Sequence, residues 1–244
     1  MSTHAVKPVK QQVKFELKKF AARKPEYYKN LQQILDLGFE TTDYIHHFPA
    51  FAGHLTIARF LSLYEAYKMT LGVAGHIAEI GVYKGAGSLF FAKLMKLFEP
   101  ESLTLVHGFD WFEGARITEE ERFVEDGECR EDYERVMDLI RIQGMDNTVL
   151  IHRLDVTRDL KQFFDENQHL QFKLIFADCG IYEVVRATLI HFWPRLTSGG
   201  LMIFDQFNHE VAPGETRAIK EFMPNAKLRT FPFGWMPTMY VEKP

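Results

Sequence analysis

The stretch AEIGVYKGAGS, residues 78–88, holds one acid, three glycines and a serine. VAGHI precedes it and LFFAKLMKLF follows, so an apolar run of strand length meets a helix-like run across a glycine-rich turn. The glycines fall as Gly81-x-x-x-Gly85-x-Gly87. That spacing matches neither the G-x-G-x-x-G of dinucleotide-binding folds nor the G-K-[ST] ending of a P-loop. The expected ligand is therefore neither a pyrophosphate nor a triphosphate. The glycines still allow close backbone approach, and Gly87-Ser88 opens a helix whose N–H groups favour a carboxylate. A plain structural turn between strand and helix accounts for the motif about as well.

The same alternation repeats to the C-terminus. LTLVHGF precedes an acidic insertion and EDYERVMDLIRI; TVLIHRL precedes DLKQFFDEN; FKLIFA precedes YEVVRATLIHFWPRL; GGLMIFDQF precedes TRAIKEFM. Apolar strands alternating with helices predict right-handed βαβ units around a mostly parallel sheet. The last two runs, KLRTFPF and TMYVEK, have only a short connection, which predicts an antiparallel hairpin. Five parallel strands plus that hairpin give a seven-stranded, Rossmann-like α/β sheet, the outline of the class I methyltransferase fold. Upstream, residues 1–74 read as a helical extension: residues 9–37 form one or two helices ending near Gly38. Residues 55–72 form another, with Ile57, Phe60, Leu61, Tyr64 and Met69 on its buried face. Residues 75–244 form the ligand-binding domain, and the acidic segment 111–133 is long enough to act as a lid.

In open parallel sheets, ligands bind beyond the carboxyl ends of the strands. Each proposed parallel strand carries a carboxylate there: Glu79, Asp110, Asp155, Asp178 and Asp205. One such acid is ordinarily a helix cap; five together point to a site. Asp110 lies 29 residues after Gly81, where an acid accepts both ribose hydroxyls of an adenosine. Phe112 can lie on an adenine face. Asp155, with Val156, can meet the adenine edge, and a capping role ahead of Thr157 is the equal alternative. Glu79, Gly81, Asp110 and Asp155 together suit an adenosine without phosphates, as in S-adenosylmethionine. For proton removal from an acceptor, Asp178 and Asp205 are the first candidates, with His209 as the alternative base.

Composition narrows the rest. The 244 residues are 46% hydrophobic and 25% charged, with a formal net charge of −4. That balance gives no basic footprint for nucleic acid. No apolar run approaches the ~20 residues that span a bilayer, and MSTHAVKPVKQQVKFELKKF lacks the apolar centre of a secretory signal. Cytoplasmic location with Cys129 and Cys179 as free thiols is expected. The basic bias of residues 1–30 and the acidic bias of residues 113–138 read as solvated helical faces. Phe15, Phe20, Leu31 and Leu35 on one helical face predict a homodimer contact.

From about residue 51 onward the chain resembles the macrocin O-methyltransferase family. The shared pieces are Glu79-x-Gly81-Val82-Tyr83-x-Gly85 with Gly108-Phe109-Asp110-Trp111-Phe112-Glu113-Gly114, then Asp178-Cys179-Gly180-Ile181-Tyr182 and Gly199-Gly200. A further shared piece is Pro213-Gly214-Glu215-Thr216-Arg217. The resemblance implies S-adenosylmethionine-dependent methylation of a hydroxyl on a sugar or glycosylated small molecule. It adds Tyr83, Gly85, Ser88, Trp111 and Asp178 to the cofactor contacts. It also implies Mg²⁺, for which Asp178, Asp205 and Gln206 are the available ligands. Here the chain departs from the family, because Gly180 and Gln206 stand where the pattern has acids. Methylation of nitrogen or of a non-sugar hydroxyl, and cofactor binding without catalysis, are the alternative readings.

Overall fold

The computed structural model describes residues 23–116, 118, 121, 126–210 and 212–244. The chain divides into two compact units, with the boundary between Ile57 and Ala58. In the first unit, α1 (Lys24–Asp36) begins with a proline in its first turn and gives way to Gly38 at φ +72°. Two short helices follow, α2 (Thr41–His46) and α3 (Phe48–Phe51). The Phe51 ring packs 5.3 Å from Phe39 and 4.6 Å from Tyr44. Phe15 and Phe20 lie outside the described residues.

The second unit is a six-stranded sheet in the order β3-β2-β1-β4-β5-β6. Its strands are β1 (His76–Ile80), β2 (Val106–Asp110), β3 (Val149–Arg153), β4 (Phe172–Ala177), β5 (Leu196–Phe204) and β6 (Met239–Glu242). The first five pair in parallel, and β6 runs antiparallel to β5. The parallel strands are joined by α5 (Ala86–Phe98), α6 (Tyr133–Ile142), α7 (Leu160–Glu166) and α8 (Tyr182–Phe192). Helix α9 (Pro213–Phe222) follows β5. The expected α/β outline holds with one correction. The seventh strand is reduced to a single antiparallel bridge, Arg229 to Tyr240. Pro232, Gly234 and Pro237 interrupt that segment, and a proline cannot donate to a ladder.

Every residue of β4 is buried, as expected of a central parallel strand covered on both faces. Side chains alternate across the sheet, which creates two cores. Ile77, Val106, Leu174, Phe176, Leu201 and Ile203 share one with Leu63, Phe91 and Val136 from the helices. Ile80, Phe109, Ala177 and Phe204 belong to the other, with Phe164, Val185, Phe192 and Ile219. Helix α4 (His54–Met69) presents Ser62, Leu63, Ala66 and Tyr67 as its buried residues, while Leu61 and Met69 are exposed. Of the expected face, Phe60 and Tyr64 pack against the core and Ile57 is half-buried, so only Leu61 and Met69 fall outside it. The helix is apolar on most of its circumference, so periodicity alone could not fix the limits of that face.

Lys173 of β4 is fully buried, and its ammonium sits 2.8 and 2.9 Å from the two Glu99 carboxylate oxygens. The Tyr67 hydroxyl donates to the same carboxylate. Removing one partner of such a buried pair leaves a charge without compensation. Glu99→Ala should lose about 3–5 kcal/mol of stability in urea unfolding, and Lys173→Met far less. Equal, small losses from both would contradict this account of the pair.

Candidate active site

The register of the sheet builds the site. Ile80 pairs with both Phe109 and Ala177, and Ala177 with Phe204. These strands therefore end level, and the next residue of each continues the ladder by one step. Gly81 N donates to Phe109 O (2.9 Å), Asp178 N to Ile80 O (2.8 Å), and Asp205 N to Ala177 O (3.1 Å). Neighbouring parallel strands lie about 4.8 Å apart, so Asp178 and Asp205 emerge side by side. Strand order reverses between β1 and β4, the usual place for a ligand crevice in such sheets.

Gly81 has φ +93°, and a Cβ there would lie 2.4 Å from the backbone oxygen of Asp178. A side chain at this position would collide with the strand that carries the acid. Tyr83 (φ +49°) and Gly85 (φ +79°) complete the turn into α5. The turn is tied to the end of β2, since the Asp110 carboxylate accepts Tyr83 N–H at 2.9 Å and Phe112 N–H at 2.7 Å. Each Asp110 oxygen thus accepts one amide and keeps a lone pair for a further donor.

Alternation along the strands puts Asp178 and Asp205 on the face covered by α4, and that helix supplies the residue sequence reasoning missed. The Arg59 guanidinium bridges the two acids, with one nitrogen 2.5 Å from Asp178 Oδ2 and the other donating to Asp205 Oδ1. It also lies 5.3 Å from the centre of the Phe176 ring. Asp178 and Arg59 are each about one-quarter exposed, whereas Asp205 is almost fully buried. Burial pushes the Asp205 carboxyl up to about 7; Asp178 beside it adds to the shift, and Arg59 opposes it. Burial draws the Arg59 pKa down, but the two carboxylates more than offset this and hold it above its ordinary value. In the sequence, Arg59 sits within the stretch LTIARFLSL, which carries no motif that marks it.

Several expected contacts face elsewhere. Glu79 is buried, and its Oε2 accepts the amide of Ser88 at 2.7 Å together with the Ser88 hydroxyl. A Cβ at Gly87 would lie 2.0 Å from Glu79 Oε1, so that glycine lets the acid reach the start of α5. The amide of Ser88, expected to meet a ligand carboxylate, is therefore taken by the chain's own acid. Burial, with Asp178 next, pushes Glu79 up to about 8. The Phe112 ring is turned into the core, 5.2 Å from Tyr133, instead of lining an open crevice. Asp155 lies in the turn ahead of α7: it accepts from Thr157 N (2.9 Å) and pairs with Arg158 (2.9 Å). Val156 is a core residue beside it. Trp111 donates to Gly114 O and stacks under Arg116 at 3.9 Å.

Asp205 has buried neighbours on its far side. Glu215 of α9 accepts Gln206 N–H at 2.7 Å, and burial, with Asp205 next, pushes its carboxyl well above the usual range. Gln206 Oε1 is buried without a hydrogen-bond partner among the described residues. It points at Gly180, where a Cβ would lie 1.7 Å from it. His209 is buried and lines a groove of about 540 Å³ with Asn208, Pro213, Thr216 and Lys220. In the acidic segment, Glu121 is buried instead of solvated and accepts Tyr182 N–H at 2.9 Å, at the start of α8. Cys129 and Cys179 are both free thiols.

The expected Mg²⁺ set does not fit a divalent cation. The position between Asp178 and Asp205 is filled by the guanidinium, and Gly180 and the inward-turned Gln206 add no charge. Among the described residues, no three of His, Cys, Asp and Glu converge as a metal cage.

With this geometry in hand, the chain can be compared with known proteins. The family profile described as a methyltransferase domain matches residues 78–207. A crystal structure of CalS11, calicheamicin methyltransferase, superposes with a TM-score of 0.81 at 24% identity, over 96% of this chain and 99% of that one. The apo structure of CalS11, TDP-rhamnose 3′-O-methyltransferase, gives 0.73 at 26% identity, over 89% and 94%. The O-methyltransferase NovP gives 0.63 at 17%, over 77% and 80%. No curated protein matches the chain by sequence.

Gly81→Ala should cost on the order of 1–3 kcal/mol in thermal unfolding, from left-handed backbone strain and the clash with Asp178 O. Gly234→Ala, also at positive φ but with nothing within 4 Å, should cost less. The reverse order would show that the β1 turn is not pressed against β4.

Proposed function

The chain belongs to the methyltransferase domain family, and we propose that it transfers a methyl group from S-adenosylmethionine to a hydroxyl of a sugar or a glycosylated small molecule. The observation that carries this reading is the pair Asp178 and Asp205, side by side at strand ends next to the Gly81 turn. The sugar class is supported by the TDP-rhamnose 3′-O-methyltransferase, 26% identical over most of both chains. The macrocin-type motifs around Glu79, Asp110 and Asp178 support the same class.

The residues present fit the cofactor. The spare lone pairs of Asp110 suit a ribose diol, and the Gly81–Gly85 turn admits backbone approach beside it. When bound, S-adenosylmethionine supplies an electrophilic methyl group on a sulfonium. Asp178, reachable from solvent, receives the proton of the acceptor hydroxyl, which is a poor nucleophile until that proton is accepted. Asp205 lies beside it, and the Arg59 guanidinium joins the two carboxylates. Glu79 and Glu121 hold the starts of α5 and α8 in place around them. A homodimer is part of the proposal, supported by the exposed Leu37, Ile45 and Phe48 of the first unit. No helix among the described residues is long and apolar enough to cross a membrane.

Methyl transfer to a panel of nucleotide sugars tests the reading. Asp205 supports Asp178 and Arg59 only when ionised, so kcat should rise with pH through about 7 as Asp205 loses its proton, and level off above it. Asp178→Asn and Asp205→Asn should each lower kcat by a factor on the order of 10²–10⁴. Asp110→Ala should weaken S-adenosylhomocysteine binding by ~1–3 kcal/mol in calorimetry, as a charged acceptor is lost. Full activity of both asparagine variants, or binding of NAD in place of S-adenosylhomocysteine, would contradict the assignment.

A further inference from the structure

Two carboxylates on adjacent strand ends, one of them buried, need a cation between them, because like charges this close repel and burial removes the water that would screen them. In this chain the cation is covalently part of the fold. Arg59 comes from α4, whose buried residues Leu63, Ala66 and Tyr67 share a core with Phe176 of β4. The guanidinium lies along the Phe176 ring and addresses one acid with each terminal nitrogen. That arrangement uses the planar fork of arginine; the single ammonium of a lysine cannot reproduce two divergent bonds. Gly180 and Gln206 bring no further charge to the pair. Gly180 has no side chain, and its missing Cβ makes room for the neutral amide of Gln206, whose oxygen would otherwise collide with it.

We propose that Arg59 is a built-in replacement for a divalent metal: it positions Asp178 and Asp205 for proton removal and makes the enzyme independent of metal ions. The proposal rests on reading those two acids as the proton-accepting pair. Arg59 acts through them and is therefore a positioning residue. A metal ion and the guanidinium compete for one place, so the presence of one predicts the exclusion of the other. It follows that removing the guanidinium opens a cation site that the wild-type chain lacks.

The test combines metal binding with turnover. Mn²⁺ is titrated into wild-type protein and Arg59→Ala, with electron paramagnetic resonance reading the free ion and no acceptor present. Wild type should bind no Mn²⁺ at this site, and chelator should leave its methyl transfer unchanged. Arg59→Ala should bind one Mn²⁺ with a Kd on the order of millimolar or tighter, and should lose that binding when Asp178→Asn is added. Its kcat should fall on the order of 10²-fold, as for a lost preorganised charge, and recover in part with added Mg²⁺ or Mn²⁺. Arg59→Lys keeps the charge and serves if the alanine variant does not fold. It should fold and keep chelator resistance while losing part of kcat, with little change in the acceptor KM. Wild-type binding of Mn²⁺ that Asp178→Asn abolishes, loss of wild-type activity in chelator, a folded Arg59→Ala that binds no Mn²⁺, or full kcat in Arg59→Lys would each overturn the proposal. Because Mn²⁺ binding is read without an acceptor, an error in the acceptor class would leave that result standing.

Discussion

The guanidinium of Arg59 between Asp178 and Asp205 is the contact on which the geometry of the site depends. Parallel register forces the two acids together, because β1, β4 and β5 end level and each contributes its next residue to one row. Without a counter-charge, the row would hold a buried carboxylate next to a half-buried one. The same contact fits the orientation of α4. With Arg59 turned toward the strand ends, Leu63, Ala66 and Tyr67 follow on the same side at helical spacing, and Leu61 and Met69 are left outside.

Around this pair the chain keeps its other acids neutral or occupied. Glu79 caps the first turn of α5, and Glu121 meets the start of α8, so two helix N-termini are satisfied by carboxylates of the chain itself. Burial raises the Glu79 and Glu215 carboxyls, which weakens the negative charge they add near the strand ends. The Asp110 carboxylate joins the β1 turn to the β2 end through Tyr83 and Phe112, leaving its remaining lone pairs toward the crevice. Positioning, more than any unusual group, is what this arrangement offers to chemistry.

Much of this was legible in the sequence because strand ends are marked locally. Short apolar runs followed by Glu79-Ile80-Gly81, Asp110, Asp178 and Asp205 gave the sheet, its carboxyl edge and the acids on it. What escaped were choices made by tertiary packing. Asp155 reads equally as ligand and cap from sequence, and the fold places it in a turn with Thr157 and Arg158 ahead of α7. Phe112 sits two residues beyond a site acid, yet its positive φ turns the ring inward. Arg59 lies more than a hundred residues from either partner, within a run with no motif, so nothing local linked it to them. The missing seventh strand followed from its prolines, which were visible but outweighed by the apolar pattern of KLRTFPF.

In the proposed site, one sheet edge gathers Asp110, the glycine turn and the arginine-bridged acid pair. A crystal structure of the chain grown with S-adenosylhomocysteine and millimolar Mg²⁺ tests it most directly. The ribose hydroxyls are expected on Asp110, the ligand along the Gly81 turn, and the Arg59 guanidinium still between Asp178 and Asp205. A ligand bound away from Asp110, or Arg59 swung aside with a metal ion between the two carboxylates, would contradict it.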